Sequence, residues 1–200
     1  MTSAADAFRS EAARPLVVCD IDGVLAFADE TAASAVQAHW GLLIDTSAQR
    51  VYRMTDLLPK PEATWLHRLH SDPAFYVNMA PDFRAIDGLR ALRDDGLHVT
   101  IATHRPPAAE QVTIDWLKRW DVGYDGLYVG PGSKHASLAS CTPDHPGVLI
   151  DNDPARWITV ARDGVDVFTP QRPYTPPQWQ SYPHVWVFSS WADVVERLTD

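Results

Sequence analysis

The chain has 200 residues, of which 46% are hydrophobic, and a formal net charge of -9. This length and this hydrophobic fraction suit one domain with a modest insert and a real core. The acidic charge argues against a protein that binds duplex nucleic acid by neutralising phosphates. Because no segment is apolar and long enough to span a bilayer and no signal-peptide core begins the chain, we expect no membrane partner and a cytoplasmic location.

An apolar run that ends in two carboxylates is the first strong pattern. Leu16 to Cys19 are apolar, and Asp20, Asp22 and Gly23 follow. In an extended chain, residues two apart point to the same side, and glycine allows a sharp turn just beyond them. Two such carboxylates repel each other unless a cation or a shared proton relieves them. Open α/β sheets bind ligands at the carboxyl ends of strands, which favours a catalytic site over a calcium loop or an ordinary turn.

Helical and strand patterns alternate along the rest of the chain. Within residues 29–78, prolines break the chain, and we predict short helices at Glu30–Trp40, around Ala48–Leu57 and at Pro61–His70. We then predict a helix from Phe83 that stops at Gly96, a strand to Ala102, a helix over 108–120, and strands at 126–129, 147–150, 165–168 and 185–188. This alternation implies right-handed crossovers and a mostly parallel sheet.

Polar residues follow the later strands as well. Thr103, His104 and Arg105 come directly after one strand. A turn further along presents Lys134, and Asp151 follows the strand at 147–150. A hydroxyl, cations and a carboxylate are the groups that a phosphate and a magnesium ion would need. Alone, Thr103 and Lys134 would more often be a strand-end hydroxyl and a solvated charge, and only their order after Asp20 reverses that reading.

The order of these residues resembles the four motifs of the haloacid dehalogenase superfamily of phosphohydrolases, at Asp20–Val24, Thr103, Lys134 and Asp151. Within that superfamily, segments 20–26, 168–174 and 191–195 are similar to the cytosolic 5'(3')-deoxyribonucleotidase group and its bacterial and phage relatives. The resemblance implies an α/β fold: a Rossmann-like core with a small helical cap inserted after the first strand. The core would comprise residues 15–28 and 79–200, the cap 29–78, and a flexible N-terminal tail 1–14.

The resemblance also implies a Mg²⁺-dependent phosphomonoester hydrolase that forms an aspartyl phosphate. Asp20 would be the nucleophile and a metal ligand. Asp22 would protonate the leaving alkoxide and then activate water, while its backbone carbonyl would contribute to the metal site. Asp151 would hold Mg²⁺ directly or through water.

Four residues would bind the phosphate. Thr103 would donate a hydrogen bond to a phosphate oxygen, helped by the backbone amides of His104 and Arg105, and Lys134 would neutralise charge. The Arg105 side chain could equally be a phosphate contact or a surface charge. At the fourth motif, relatives commonly have two adjacent aspartates, whereas Asn152 follows Asp151 here. Either metal affinity is weaker than in relatives, or Asp153 takes over the second acidic role.

Nothing in the motifs recognises more than the phosphoryl group, so we expect the cap to select the substrate. A nucleoside or deoxynucleoside 5'-monophosphate is the leading small phosphate-ester substrate; another metabolite such as a sugar phosphate and a catalytically silent binding module are the alternatives. A homodimer is left open. Aromatic residues that could stack on a base are Phe27, Trp40, Tyr52, Trp65, Phe75 and Tyr76. Replacing Trp65 or Tyr76 is expected to change the substrate ratio.

Two further patterns favour ordinary structural roles. His67 and His70 lie at helical spacing, but no third ligand is evident, which favours a surface or partly buried pair over a zinc site. Val112, Trp116 and Trp120 fall on one helical stripe, which predicts core packing.

Overall fold

A computed structural model describes residues 15–139, 141–142, 146–156, 160 and 165–200. In this part of the chain, six strands form one sheet in the order β3-β2-β1-β4-β5-β6. Every neighbouring pair of strands is parallel. The structure therefore confirms the α/β, Rossmann-like fold. The predicted tail, residues 1–14, lies outside the described residues.

The strands are β1 (Leu16–Cys19), β2 (His98–Thr103), β3 (Gly126–Val129), β4 (Gly147–Ile150), β5 (Asp166–Pro170) and β6 (Val185–Phe188). Six α-helices are assigned bounds within the described ranges: α1 (Ala28–Trp40), α2 (Lys60–Leu69), α3 (Phe83–Asp94), α4 (Glu110–Arg119), α5 (Ser133–Leu138) and α6 (Trp191–Thr199). Short 3-10 turns lie at Thr46–Ala48, Met54–Leu57, Pro73–Tyr76, Pro107–Ala109 and Pro177–Ser181. Most predicted elements are found within a few residues of their expected bounds.

The helix predicted around Ala48–Leu57 is wrong. Two separate 3-10 turns occupy this region, and the residues between them are not helical. The Gln49 side chain is buried and donates hydrogen bonds to the carbonyl oxygens of Val51 and Tyr52, at 2.8 and 3.1 Å. Such side-chain hydrogen bonds offer the backbone an alternative to the helical pattern.

The main core lies around β1 and is closed by α3, α4 and α6. Trp116 is 1% exposed, and Val112 and Trp120 pack partly buried beside it, so the predicted core role of this stripe is confirmed. On α3 the apolar stripe is buried except for Phe83, which is 59% exposed and meets the Trp120 ring edge-on.

The inserted segment has a small core of its own. Ala32, Val36, Met54 and Leu66 form a separate buried cluster. Its two connections to the rest of the chain run side by side, because Ala26 forms an antiparallel bridge with Pro81. The cap boundaries at residues 29 and 78 stay a prediction. Among the described residues, no helix combines the length and apolar character needed to cross a membrane.

Candidate active site

The carboxyl ends of three adjacent strands bring the predicted motifs together. β1 lies between β2 and β4, and its register pairs Cys19 with Ile101 and with Ile150. Asp20 continues the ladder, since its backbone N–H donates to the Ile150 carbonyl oxygen at 2.9 Å. Thr103, the last residue of β2, and Asp20 and Asp151, which follow β1 and β4, therefore lie at one edge of the sheet.

Lys134 joins the two carboxylates at this edge. Its Nζ lies 2.6 Å from Oδ2 of Asp20 and 2.6 Å from Oδ2 of Asp151. All three side chains are buried, with exposures of 3% for Lys134, 8% for Asp20 and 0% for Asp151. We call Asp20, Lys134 and Asp151 the carboxylate–lysine cluster. Lys134 lies in α5, not in the predicted turn, and Ser133 anchors this helix because its Oγ donates to the Thr103 carbonyl oxygen at 2.9 Å.

The cluster holds two carboxylates but one ammonium, and the pKa values reflect this imbalance. Burial raises the pKa of Asp20 to about 7, against the opposing effect of Lys134 and with a further contribution from the charge of Asp151. Burial alone would lower the pKa of Lys134, but the charges of Asp20 and Asp151 raise it above its ordinary value. Lys134 is therefore a fixed cation, and the cluster favours any added positive charge.

Thr103 and His104 face the same site with different chemistry. Thr103 is fully buried, and its Oγ1 accepts the backbone N–H of Arg105 at 3.3 Å, which leaves the hydroxyl proton able to donate. Burial lowers the pKa of His104 to about 4, helped by the charge of Lys134, so this ring is neutral at physiological pH. Both residues line the cavity.

The Arg105 side chain is not a surface charge. Its guanidinium forms an ion pair with Asp22 at 2.7 Å and has 0% exposed side-chain surface. Its backbone amide is already engaged by Thr103. A contact between Arg105 and phosphate stays a prediction.

The Asn152 side chain is held by contacts with Tyr174 and Gly23. Its Nδ2 donates to the Tyr174 hydroxyl at 2.8 Å, and its Oδ1 is buried without a hydrogen-bond partner among the described residues. Gly23 has φ of +79°, and a Cβ there would overlap the Asn152 amide. The Asp153 carboxylate accepts the backbone N–H of Ala155 at 3.0 Å, which turns it to the start of the following segment. A metal-binding role for Asp153 stays a prediction.

Two members of the cluster, Asp20 and Lys134, line the base of a cavity of about 340 Å³, and Asp151 lies behind them without lining it. Ten residues of the insert line it, and we call five of them the cap wall: Tyr52, Arg53, His67, His70 and Phe75. Sequence analysis did not assign Arg53, nor Asp29, which also lines the cavity and whose pKa burial raises to about 6. Nothing local in the sequence marks either residue, because both depend on how the insert folds over the sheet.

The candidate base-stacking residues divide into separate groups. Tyr52, Phe75 and Tyr76 line the cavity, whereas Trp40 and Trp65 line a separate surface groove. Tyr76 is buried, and its hydroxyl donates to the His70 carbonyl oxygen at 2.6 Å. His67 is exposed and His70 half-buried, which matches the predicted surface or partly buried pair.

The residues present fit a magnesium ion. Among the described residues, no group of three His, Cys, Asp or Glu side chains forms a ready metal site. Mg²⁺ needs fewer protein ligands, since it retains several waters and is typically bound by one or two carboxylates together with substrate phosphate. Asp20 and Asp151 supply two carboxylates, and the unpartnered Oδ1 of Asn152 supplies a neutral oxygen beside them.

Comparisons with known proteins identify the fold. No protein-family model and no curated protein matches the sequence. A haloacid dehalogenase-like hydrolase from Streptococcus pneumoniae is similar in structure, with a TM-score of 0.67, 16% identity, and coverage of 92% of this chain and 97% of that chain. A predicted phosphoglycolate phosphatase from Haemophilus somnus has a TM-score of 0.61, 16% identity, and coverage of 91% and 96%.

A third match has a different activity in its name. Protein tyrosine kinase A from Mycobacterium tuberculosis has a TM-score of 0.66, 18% identity, and coverage of 94% of this chain and 99% of that chain. Such identities establish the fold alone, and one fold serves several reactions. The described sheet order, its parallel strands and these matches together show that the chain has the haloacid dehalogenase-like fold.

Proposed function

We propose that the protein is a Mg²⁺-dependent phosphomonoester hydrolase that uses Asp20 as its nucleophile. The observation that carries this proposal is the position of Lys134, 2.6 Å from a carboxylate oxygen of Asp20 and 2.6 Å from one of Asp151, at the base of a cavity. A buried cation held between two acids at the ends of parallel strands suits a dianionic phosphate better than a neutral substrate.

The described side chains divide the work on the phosphate. The Lys134 ammonium offsets charge on the phosphate oxygens and on Asp20, while the Thr103 hydroxyl donates a hydrogen bond to one of those oxygens. The backbone orients the Asp20 carboxylate, because its Oδ1 accepts the backbone N–H of Ile21 at 2.8 Å. Attack by Asp20 on phosphorus forms an aspartyl phosphate and releases the alcohol.

Asp22 is the candidate acid and base. It lines the cavity two residues after the nucleophile. It would donate a proton to the departing alkoxide and then accept one from the water that hydrolyses the aspartyl phosphate. Asp20, the backbone carbonyl of Asp22, Asp151 and Asn152 would hold Mg²⁺, which would supply positive charge that lets an anionic nucleophile approach an anionic phosphate.

The cavity supports a small substrate, with nucleoside 5'-monophosphates as the leading candidate. Its volume of about 340 Å³ is near the lower end of the range for small-molecule sites. Tyr52 and Phe75 on the cap wall offer aromatic surface for a base. Stacking of a base on an aromatic ring is worth about 1–3 kcal/mol in other proteins.

Arg53 favours a second candidate. It is exposed, lines the cavity, and makes no ion pair with another described residue. A cation on the wall opposite the phosphate site would suit a small phosphate ester with a second anionic group, such as a phosphorylated sugar acid or a sugar bisphosphate. The similar structure named as a phosphoglycolate phosphatase is consistent with this class.

A substrate panel tests the proposal. Nucleoside 5'-monophosphates, sugar phosphates, phosphoglycolate and p-nitrophenyl phosphate would be assayed by phosphate release with Mg²⁺ and with excess chelator. We expect Mg²⁺-dependent release that Asp20→Asn reduces on the order of 10⁵-fold, with the exposed Asp56→Asn as the matched control. Release that persists in Asp20→Asn would contradict the nucleophile assignment. Absence of release from every ester, with a retained Mg²⁺-dependent thermal shift, would favour the silent binding module.

The remaining expectations about partners and location also stay proposals. We propose a small phosphate ester as the partner, without duplex nucleic acid or membrane, and a cytoplasmic location. Light scattering of the full chain would test whether it forms a homodimer.

A further inference from the structure

The buried side chain of Arg105 contacts Asp22, the candidate acid, and not Asp20, the candidate nucleophile. Its Nη2 lies 2.7 Å from Oδ1 of Asp22, and its Nε lies 3.0 Å from Oδ2 and 3.2 Å from Oδ1. Two nitrogens of one planar group therefore contact both carboxylate oxygens. A bidentate contact of this kind fixes orientation as well as charge.

The other side of the guanidinium is held equally firmly. Its Nη1 donates to Oγ1 of Thr113 at 3.3 Å, and the Thr113 hydroxyl donates in turn to the Ala109 carbonyl oxygen at 2.8 Å. The Tyr76 ring lies 4.5 Å from the guanidinium carbon, and the Trp116 ring lies 5.8 Å from it. These contacts fix the orientation of the Arg105 guanidinium, which in turn fixes the orientation of the Asp22 carboxylate.

Stability alone is a poor explanation for this arrangement. Taking an arginine and an aspartate out of water costs several kcal/mol per ion, and a buried pair of this kind is often no more stabilising than apolar residues of the same volume. The Asp22 side chain is 27% exposed toward the cavity, whereas the Arg105 side chain has no exposed surface. Both residues line the cavity, but only the Asp22 side chain has solvent-accessible surface there.

We propose that Arg105 is a positioning residue that orients Asp22 for proton transfer to the leaving group. In this role the Arg105 guanidinium acts through Asp22. The role is specific to one step, because the proton from Asp22 passes to the alkoxide oxygen as its bond to phosphorus breaks. A leaving group that is stable as an anion needs this proton much less than one that is not.

Two substrates of nearly the same shape separate this role from a general structural one. Phenyl phosphate releases a poor leaving group, and p-nitrophenyl phosphate releases a good one. The quantity to compare is kcat/KM, because it covers the steps up to formation of the aspartyl phosphate and excludes its later hydrolysis, in which Asp22 acts on both substrates alike.

We expect Arg105→Gln to lower kcat/KM about 100-fold for phenyl phosphate and less than about 10-fold for p-nitrophenyl phosphate. Arg105→Lys keeps the charge without the fork and should show the same selective loss, to a smaller extent. Asp22→Asn should give the same pattern, and the Asp22→Asn/Arg105→Gln double variant should be no worse than Asp22→Asn on phenyl phosphate. The control is Arg90→Gln, which breaks an exposed ion pair.

The outcomes separate two failures, since this role exists only if the proposed function does. Wild-type protein that hydrolyses neither aryl phosphate with Mg²⁺ would overturn the phosphomonoesterase and the role of Arg105 together. Wild-type activity with equal losses on both substrates, or with additive losses in the double variant, would overturn only the role of Arg105. If Arg105→Gln does not fold, the Lys and double variants decide the question, because both avoid an unpaired buried carboxylate.

Discussion

The base of the cavity and its cap wall are built in opposite ways. At the base, the carboxylate–lysine cluster is buried and each charged group faces another at 2.6 Å. On the cap wall, Arg53 and His67 are exposed, and Arg53 has no charged partner among the described residues. In the proposed function, the buried part would act on any phosphate ester, whereas the exposed part would contact the rest of the substrate. The proposal thus assigns chemistry and substrate selection to separate parts of the structure.

Replacing Lys134, the cation at the floor of the cavity, should have the largest effect on stability. Lys134→Met leaves two buried carboxylates unpaired, and we expect the metal-free protein to lose about 3–5 kcal/mol of unfolding free energy. Urea denaturation in chelator measures this loss, and Lys118→Met, on the exposed face of α4, is the control. If Lys134→Met is as stable as the control, the three groups do not form the charged cluster described here.

The stability of the carboxylate–lysine cluster should also depend on pH. The folded-state pKa of Asp20 is raised to about 7 from an ordinary 3.8, so the stability that it contributes is fully present below about 4 and is lost as pH rises toward 7. We expect the Tm of metal-free protein to fall between pH 5 and pH 8, and less so in Asp20→Asn. Mg²⁺ should raise Tm more at pH 8, because metal binding requires the ionised carboxylate.

A matched variant isolates Asp20 from its neighbours. Burial also raises the pKa of Asp29, to about 6, so this group contributes in the same direction. Asp29→Asn should therefore remove a different part of the pH dependence and leave the Mg²⁺ shift intact. A Mg²⁺ shift that does not change between pH 5 and pH 8 would contradict the raised pKa of Asp20.

Asn152→Asp should have a smaller effect of two opposing kinds. The new carboxylate adds a third negative charge beside one lysine, so the Tm of the metal-free protein should fall. The same added charge should tighten Mg²⁺ binding by about tenfold or less. The Tyr174 hydroxyl, which accepts from Asn152 now, can donate to the aspartate. Isothermal titration with Mg²⁺ measures the affinity, and unchanged binding would show that Asn152 does not contribute to the metal site.

The cap wall should give the smallest and most selective change. Arg53→Gln is expected to raise KM by about three- to tenfold for phosphate esters with a second anionic group, without changing kcat for p-nitrophenyl phosphate. Arg50→Gln, exposed but outside the cavity, is the control. The sequence-based expectation for Trp65 is revised: Trp65→Ala should leave substrate ratios unchanged because Trp65 lines a different groove. A uniform loss across substrates in Arg53→Gln would contradict its role in selection.

The sequence predicted the sheet and the residues at its strand ends because these signals are local. An apolar strand followed by an acid is visible within ten residues, as at Asp20 and at Asp151. The Arg105 contact with Asp22 joins residues 83 positions apart, and the Asn152 contact with Tyr174 joins residues 22 apart. Neither leaves a periodic pattern. The turns at Ala48 were missed because a buried glutamine competes with the helical hydrogen bonds there.

The paired connections of the insert have a consequence for how such a protein can change over time. The Phe27 backbone N–H donates to the Ala80 carbonyl oxygen at 2.9 Å, and the Asp82 N–H donates to the Leu25 carbonyl oxygen at 2.8 Å. The insert thus leaves and re-enters the core at nearly one point. A segment of another length and shape can be exchanged at this junction without redirecting β1 or α3, so the selecting layer is free to diversify while the reacting groups stay in register.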